Sequence, residues 1–539
     1  MAQVISTEKI YAAEAVRPSS WMSYLPAILA IVGSLIMLIL RIEIGQRFIS
    51  DGALMMVALA CYILGALFLL TNLYAPSEMA RKIGFGTAAL GVFFNLSSWL
   101  VRWVGAYDFE IAKMRASGNL EEPWVFRYIP FANLYDLSLA FAFGAGIATL
   151  LLARRKNFQV LAAFTLPLAA LILTLARFIG GEFIDLPPVL DSYWRPIHVG
   201  VASLSYGVAL VCFAIAVIYL LKDKVKVEAM AIWSSVFGLA VIATISKFSV
   251  LTEMIYRAGI FLPNDNGGKP FSAPFRLEVP WVGEALVVAA ILLLGTIVAF
   301  LIYVYQQNET ARSVGHAVLK LAFVAQVIAV GLLVGGIRTA GDVPARLTSQ
   351  LAADPSQYVT AGRALAERQQ LSAAEYAALS PIQLEQMGRQ YVQMNGERLY
   401  LSLNTNPVEL AGLLTALAGT FFVILFAFRT DKLRERLPSL DSLDGLMYKT
   451  ACLAFAGLAM LLITGAIWAN ESWGRPWGFD SKETGALVAW LTYAGFLHTR
   501  ISRGWTGRSS AYFAIVGFLL VIFTYLGVSY LLPGLHSYA

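Results

Sequence analysis

The sequence predicts an all-α membrane protein, a bundle of about thirteen transmembrane helices. Of its 539 residues, 58% are hydrophobic and only 14% are charged, and the mean hydropathy is +0.68. A soluble chain carries roughly 25% charged residues. Long apolar segments recur along the whole chain, and each is long enough to cross ~30 Å of hydrocarbon as a helix of about 20 residues.

Thirteen apolar segments account for the predicted spans. Lys247 and neighbouring Ser and Thr residues dilute the segment at 228–248. An odd number of crossings places the two chain ends on opposite sides of the membrane. In chain order the segments lie at 22–41, 53–73, 84–101, 134–153, 159–178, 198–221, 228–248, 281–305, 317–338, 409–428, 446–468, 484–500 and 510–531.

Basic loops set the predicted orientation. Because cytoplasmic loops carry an excess of Lys and Arg, the side that holds four basic loops is predicted to be the cytoplasm. The N-terminus then lies in the cytoplasm and the C-terminus outside it. Arg41 and Arg47 lie on the outer side in this topology, a conflict with the rule that the larger number of basic residues in the four cytoplasmic loops outweighs. The four loops are "ARRK" (153–156), "KDKVK" (222–226), "RTDKLRER" (429–436) and "RISRGWTGR" (500–508).

These boundaries divide the chain into four regions. Within the third, the segment "LSAAEYAALSPIQLEQMGRQYVQM" (371–394) alternates polar and apolar residues at helical spacing, which predicts one or two surface helices. Three other outer segments, 102–133, 179–197 and 249–280, are predicted as loops. The regions are a cytoplasmic N-terminal segment (1–21), an N-terminal membrane region (22–225), an inserted membrane region (226–440) with a long outer loop (339–408), and a C-terminal membrane region (441–539).

Charge and cysteine content exclude several classes of protein. The net charge of +6 is typical of cytoplasmic loops in a membrane protein, so we do not predict nucleic-acid binding. Cys61, Cys212 and Cys452 lie in apolar segments and form no CxxC pair, which indicates that they pack as small hydrophobic residues. The chain contains no CxxCH motif and is therefore not itself a c-type cytochrome by that signature.

Two histidines and one aromatic loop are the main candidate functional groups. On the predicted topology His198, His536 and the loop "WGRPWGFD" (473–480) share the outer face, although hundreds of residues separate them. A neutral imidazole is a good axial ligand for haem iron, and aromatic rings can stack on a porphyrin. Taken singly, each residue is more typical of an interfacial belt or a helix end. Their coincidence on one face favours a shared haem.

The remaining candidates keep two interpretations each. His498 lies 18 residues after Asp480, nearly a membrane thickness along a helix, so it is either an interfacial histidine or a second haem ligand deep in the membrane. Arg475 and Lys482 carry the charge needed to pair with haem propionates, although Lys482 is equally typical of a solvated surface. Asp480 and its neighbour Glu483 equally suit the N-terminus of the next helix, through its dipole.

Several segments together resemble a known family. The stretch "WGRPWGFDSKET" (473–484) resembles the WWD signature of haem-handling proteins of cytochrome c biogenesis, and more narrowly the CcsA (ResC) branch of System II. The resemblance covers roughly residues 80–225 and 440–539. Its other segments are "PFANLYD" (130–136), "SYWRPIHVGVASLSYG" (192–207), "LDGLMYKT" through "TGAIWANESWG" (443–474), "FLHTR" (496–500) and "TYLGVSYLLPGLHSYA" (524–539).

The resemblance implies a ligand set and a reaction. It implies that His198 and His536 are external axial ligands of haem b, and that His498 helps bind haem within the membrane. Proteins of this family work with a CcsB (ResB) membrane partner in the bacterial cytoplasmic membrane. They export haem and attach its vinyl groups to the CxxCH thiols of apocytochrome c outside. The loop residues implied to cradle the haem are Trp473, Arg475, Trp477, Phe479 and Asp480.

The chain departs from the family pattern in four places. Phe479 stands where the second signature tryptophan is expected, Gly485 replaces the tryptophan after "KET", and Ser529 replaces an asparagine. The insertion at 226–440 exceeds the family core. Three functions therefore remain open: a haem-binding subunit of a cytochrome c haem lyase, a haem transporter or chaperone without ligation, and a permanent b-type membrane cytochrome.

Overall fold

The computed structural model describes residues 21–120, 124–183, 188–264, 270–368 and 373–528. Within these ranges the protein is a helical bundle, and twelve helical segments are long and apolar enough to cross a membrane. The all-α polytopic prediction is therefore confirmed. The sidedness of the two ends stays a prediction.

Six helices make up the N-terminal membrane region, and a seventh opens the inserted region; all seven are among the twelve candidate spans. Several begin at a side chain that caps the first turn: Ser50, Ser77 and Asn133 each accept a hydrogen bond from a backbone N–H three residues on. The helices are α1 (Leu25–Ile44), α2 (Asp51–Tyr74), α3 (Glu78–Ala116), α4 (Leu134–Ala153), α5 (Leu161–Ile179), α6 (Trp194–Lys222) and α7 (Val227–Thr244).

After α7, the inserted region adds three further spans and an extramembrane part. The spans are α9, α10 and α15, and the short helix α8 precedes a strand pair. The prediction of surface helices within 371–394 is confirmed by α13 and α14. The helices are α8 (Ser249–Glu253), α9 (Val282–Gln306), α10 (Glu309–Arg338), α11 (Val343–Ala353), α12 (Ser356–Arg368), α13 (Ala373–Ala378), α14 (Pro381–Asn395) and α15 (Pro407–Ala427).

The segment predicted as a loop at 249–280 contains a β-hairpin instead. Strand β1 (Tyr256–Leu262) pairs antiparallel with β2 (Phe271–Val279). Alternate residues of both strands are buried, because one face packs on a small core beneath α11 and α12. The amide of Gln350 in α11 bonds to the backbone of β2 at Arg276 and Glu278, so a side chain occupies part of the outer edge.

The C-terminal region holds the segments predicted to bear the functional groups. A short helix, α16 (Thr430–Arg436), leads into α17 (Leu440–Trp473), α18 (Ser481–Arg503) and α19 (Arg508–Ile522), and α19 continues into a π-helical turn (Phe523–Gly527). Helix α18 corresponds to the predicted span at 484–500 but is too polar to count among the twelve. Its 23 residues extend about 34 Å, so its length suffices to cross.

Helix α6 lies at the centre of the larger hydrophobic core. It packs against α4 on one side and against α17 and α19 on the other. The first membrane region and the C-terminal region therefore share one core, although the insertion separates them in sequence. The helices α7, α9 and α10 form a second core, joined to the first through α15.

Candidate functional site

His198 lies in the second turn of α6 and packs directly on α17. Its Nδ1 is 3.0 Å from the carbonyl oxygen of Leu461 and 3.4 Å from the hydroxyl of Thr464. In the tautomer that donates Nδ1–H to this carbonyl, Nε2 carries the lone pair, which is the form that binds a metal. Gly465 makes this approach possible, because a Cβ built there lies 2.8 Å from Cε1 of His198.

A cavity of about 150 Å³ lies beside His198, with walls from α4, α6, α17, α18 and the π-helical turn. Most of its lining is aromatic or aliphatic. The indole of Trp468 is buried and its ring centroid lies 5.7 Å from that of the imidazole. Its Nε1 has no hydrogen-bond partner among the described residues. Other lining residues are Phe131, Asn133, Arg195, Trp473, Trp477 and Lys482.

The aromatic loop between α17 and α18 divides into two sets of residues. Trp473 and Trp477 line the cavity, and their role as a platform for haem stays a prediction. Phe479 is 79% exposed, has a φ of +55° and lies edge-on to Trp477. Arg475 is exposed, and its guanidinium lies against Gly478, where a Cβ would be 2.9 Å from Nη2. The implied haem contacts of Phe479 and Arg475 therefore stay predictions.

The acidic residues of the loop cap α18. Asp480 accepts a hydrogen bond from the backbone N–H of Lys482, and Glu483 accepts from the backbone N–H groups of Asp480 (3.2 Å) and Gly478 (2.8 Å). Together they form a capping box, which satisfies backbone donors that a helix start leaves unpaired. The structural interpretation of the two acids accounts for these contacts, and a haem contact of Asp480 stays a prediction.

Lys482 is the cation of the first turn of α18 that lines the cavity. Burial lowers the pKa of its amine to about 8, and the neighbouring Asp480 opposes this shift. Within the described ranges no ion pair involves this amine. It is therefore a mostly buried positive charge whose neutralisation by a carboxylate would be favourable.

Polar contacts link the cavity walls at the start of α6 and the end of α17. Ser192 donates to a carboxylate oxygen of Glu471 at the end of α17 (2.8 Å) and accepts from the backbone N–H of Trp194 (3.0 Å). These bonds fix the start of α6 against the end of α17. This contact supports the packing of His198 against α17.

Among the described residues, neither His316 nor His498 lines this cavity. His498 lies 17 residues after the start of α18, about 25 Å along the axis, and is exposed. Its role as a second ligand stays a prediction. His536 lies outside the described residues. His316 on α10 lies 3.2 Å from a carboxylate oxygen of Glu228 on α7, and its ring packs on Phe300 of α9.

Sequence reasoning missed two groups of the site. Arg195 lies three residues before His198, and this spacing places both side chains on one face of α6. Trp468 lies three residues after Gly465, on the face of α17 that meets the imidazole. Helical spacing relative to His198 could have found Arg195. Trp468 required knowledge of which helix packs against α6.

Comparison with known proteins decides the family. The sequence model of a family described as "Cytochrome C assembly protein" matches residues 131–266 and 276–536, more than half of the chain. The chain belongs to this cytochrome c assembly family. The matched ranges include His198, the aromatic loop and most of the insertion.

Curated relatives narrow the family to CcsA. The chain is 44% identical over 137 residues to the cytochrome c biogenesis protein CcsA of Prochlorococcus marinus strain MIT 9515, which covers 25% of this chain and 43% of that protein. It is 50% identical over 103 residues to the CcsA of Parasynechococcus marenigrum strain WH8102, which covers 19% and 34%. The aligned segments thus span less than half the length of these CcsA relatives. The resemblance to the CcsA family is confirmed.

Proposed function

We propose that this CcsA-family chain binds haem in the His198 cavity and presents it at the outer membrane face for thioether attachment to the CxxCH thiols of apocytochrome c. One observation carries the proposal: the imidazole of His198, oriented by the carbonyl of Leu461, lies beside an indole-lined cavity. The orphaned Nε1 of Trp468 supports a polar ligand there, because a buried N–H without a partner is costly.

Each side chain of the cavity has a role in this proposal. His198 ligates the iron through Nε2, and Trp468, Trp473 and Trp477 hold the flat macrocycle. His536, beyond the described residues, is the proposed second axial ligand. Haem supplies the vinyl groups that react, and the thiols belong to the substrate. The cysteines of this chain stay outside the proposed chemistry, and the burial of Cys212 against the carbonyl of Met447 supports this.

Binding requires the cavity to enlarge. Its volume of about 150 Å³ is below the ~300–1,000 Å³ of typical ligand pockets. The aromatic loop is the wall that can move, because it lies at the surface between two helix ends. Gly474, with a φ of +68°, begins this loop directly after α17. Outward movement of the loop would admit the macrocycle and expose its edge to substrate.

The wider assembly is also part of the proposal. The family resemblance supports a CcsB-like membrane partner and a location in the bacterial cytoplasmic membrane, with the cavity on the extracytoplasmic side. His498 is exposed near the opposite end of α18. A haem ligand at that position would be completed by groups from another chain, on the route that delivers haem outward.

The decisive experiment is an absorption spectrum of the detergent-purified protein, oxidised and reduced, with quantification of haem as its pyridine complex. We compare the wild type with His198→Ala, and use His316→Ala as the control because His316 does not line the cavity and contacts Glu228 and Phe300 instead. We expect haem in the wild type and control, and its loss or an altered spectrum in His198→Ala. A folded wild type that stays haem-free when haem is supplied would contradict the proposal.

A haem chaperone without ligation is the second candidate. The exposed ring of Phe479 and the missing ring at Gly485 favour it, since both differ from the signature pattern. A Cβ at Gly485 would lie 2.8 Å from the hydroxyl of Thr524, so the helix contact there excludes a larger side chain. Co-expression with a CxxCH apocytochrome distinguishes the candidates. Covalent haem attachment that depends on His198 favours the lyase, whereas haem binding by this chain without covalent attachment favours the chaperone.

A further inference from the structure

A second cavity adjoins the His198 cavity on the side away from the aromatic loop. Its volume is about 230 Å³, and it lies between the outer half of α3, the start of α4 and the start of α6. Ala132, Asn133 and Arg195 line both cavities, so the two spaces share a wall. We call this second space the polar chamber. Within the described residues, the 473–480 loop contributes nothing to its lining.

The polar chamber differs from the His198 cavity in chemistry. Its walls carry Arg102, Lys113 and Arg195 as cations and the phenol of Tyr128. The His198 cavity is lined mainly by rings and aliphatic side chains. A ligand that fits both spaces has an apolar body and one polar, charged edge. The His198 cavity alone is smaller than a typical ligand pocket, and the polar chamber supplies further room.

Arg195 stands at the junction of the two spaces. It is only 5% exposed, and its Nη2 donates to the carbonyl oxygen of Arg127 (3.1 Å). The side chain of Arg127 in turn pairs with Asp191 (2.6 Å), so the support is itself fixed. Because Arg195 precedes His198 by three residues, its guanidinium lies about one helical turn further out than the imidazole, on the same face of α6.

The acids of the polar chamber are largely matched by arginines. Asp136 pairs with Arg102, which also contacts Asp51 and donates to the carbonyl oxygen of Gly181 (2.6 Å). Glu110 lies two turns further along α3, near the phenol of Tyr128. Asp191 pairs with Arg127. A carboxylate that enters the polar chamber therefore meets the guanidinium of Arg195 at the junction and the like charge of Glu110 in the lining.

We propose that Arg195 binds the carboxylate edge of the porphyrin, with the propionates extending from the His198 cavity into the polar chamber. This inference rests on the proposed function and adds the orientation of the haem. A guanidinium suits a carboxylate, since it offers parallel N–H donors in a fixed plane. The propionates occupy two adjacent pyrroles of haem b and the vinyl groups the other two. The vinyl edge thus faces the aromatic loop, where the thiols of a substrate arrive.

The test compares ferric protoporphyrin with its dimethyl ester, which lacks the charged carboxylates. We measure the dissociation constants of both for the purified full-length chain by absorbance titration. The wild type is expected to prefer the free acid about tenfold or more, the effect of one charge-assisted hydrogen bond. Arg195→Gln is expected to remove most of this preference. Arg363→Gln, an exposed arginine of α12, is the control and is expected to keep it.

A second variant, expected to change the preference in the opposite direction, separates a binding effect from misfolding. Glu110→Gln removes the opposing acid and is expected to increase the preference for the free acid, which a misfolded protein would not do. The inference is overturned if the wild type binds acid and ester equally, or if Arg195→Gln keeps the preference while Lys482→Gln or Arg475→Gln removes it. A wild type that binds neither porphyrin contradicts the proposed function instead, so the two failures are distinguishable.

Discussion

The contact between Gly465 and His198 gives a quantitative prediction. A Cβ at residue 465 lies 2.8 Å from Cε1 of the imidazole, and ordinary van der Waals contact begins near 3.4 Å. In Gly465→Ala the ring must therefore move by about 0.6 Å, more than the ~0.5 Å within which binding groups need to be held. Overpacking of this kind costs about 1–3 kcal/mol, and the bond to Leu461 adds about 1 kcal/mol if it is lost.

If this strain is relieved at the expense of iron ligation, haem affinity falls by roughly 5- to 150-fold for ~1–3 kcal/mol. Haem titration measures the affinity, and the visible spectrum reports any change in axial ligation. Gly445→Ala is the matched control, because it lies on the same helix and a Cβ there meets nothing within 4 Å. Both changes alter helix propensity equally. Equal haem affinity in the two variants would refute the reasoning.

Three further predictions concern capping, titration and a buried ion pair. Asp480→Ala is expected to lower the stability of the cap by about 0.5–2 kcal/mol, and Asp480→Asn by less, as measured by thermal unfolding in detergent. Lys482 reacts with an acylating reagent only as the neutral amine, so the rate of its labelling should be half-maximal near pH 8 and decrease at lower pH, as followed by mass spectrometry. A midpoint near 10.5 would contradict the burial of this amine. Asp136→Asn leaves Arg102 without its closest carboxylate and is expected to lower the free energy of unfolding by about 3–5 kcal/mol. Asp431→Asn removes the acid of an exposed ion pair and should change the unfolding midpoint little. Equal unfolding midpoints for the two variants would refute the argument.

The membrane helices could be predicted because a span requires only one local feature, an apolar segment of sufficient length. The hairpin at β1 and β2 was not recognised, although alternate burial of Tyr256, Ala258 and Ile260 follows a period of two. Its second strand is interrupted by Pro274 and charged residues, and its buried face exists only because α11 and α12 cover it. The local sequence pattern was therefore sufficient to predict the membrane spans, whereas the strands depend on tertiary packing that the local pattern does not contain.

The candidate site was predictable only in part. His198, Trp473 and Trp477 were found because their residue types are rare and suited to haem. Arg195 and Gly465 act through the packing of α6 on α17, a contact between segments more than 260 residues apart that no local pattern contains.

The polarity of α18 has a consequence for how the protein enters the bilayer. The helix is less hydrophobic than the twelve candidate spans. Its charged or titratable residues include Lys482, Glu483, His498, Arg500 and Arg503. Such a segment is poorly retained in lipid by itself, since charged residues oppose insertion. It is stabilised by its neighbours: α17 and α19 pack along it, and Arg500 is neutralised by Asp444 of α17. Integration of the final three helices is therefore a cooperative event, and the cavity wall forms only after the last of them has been synthesised.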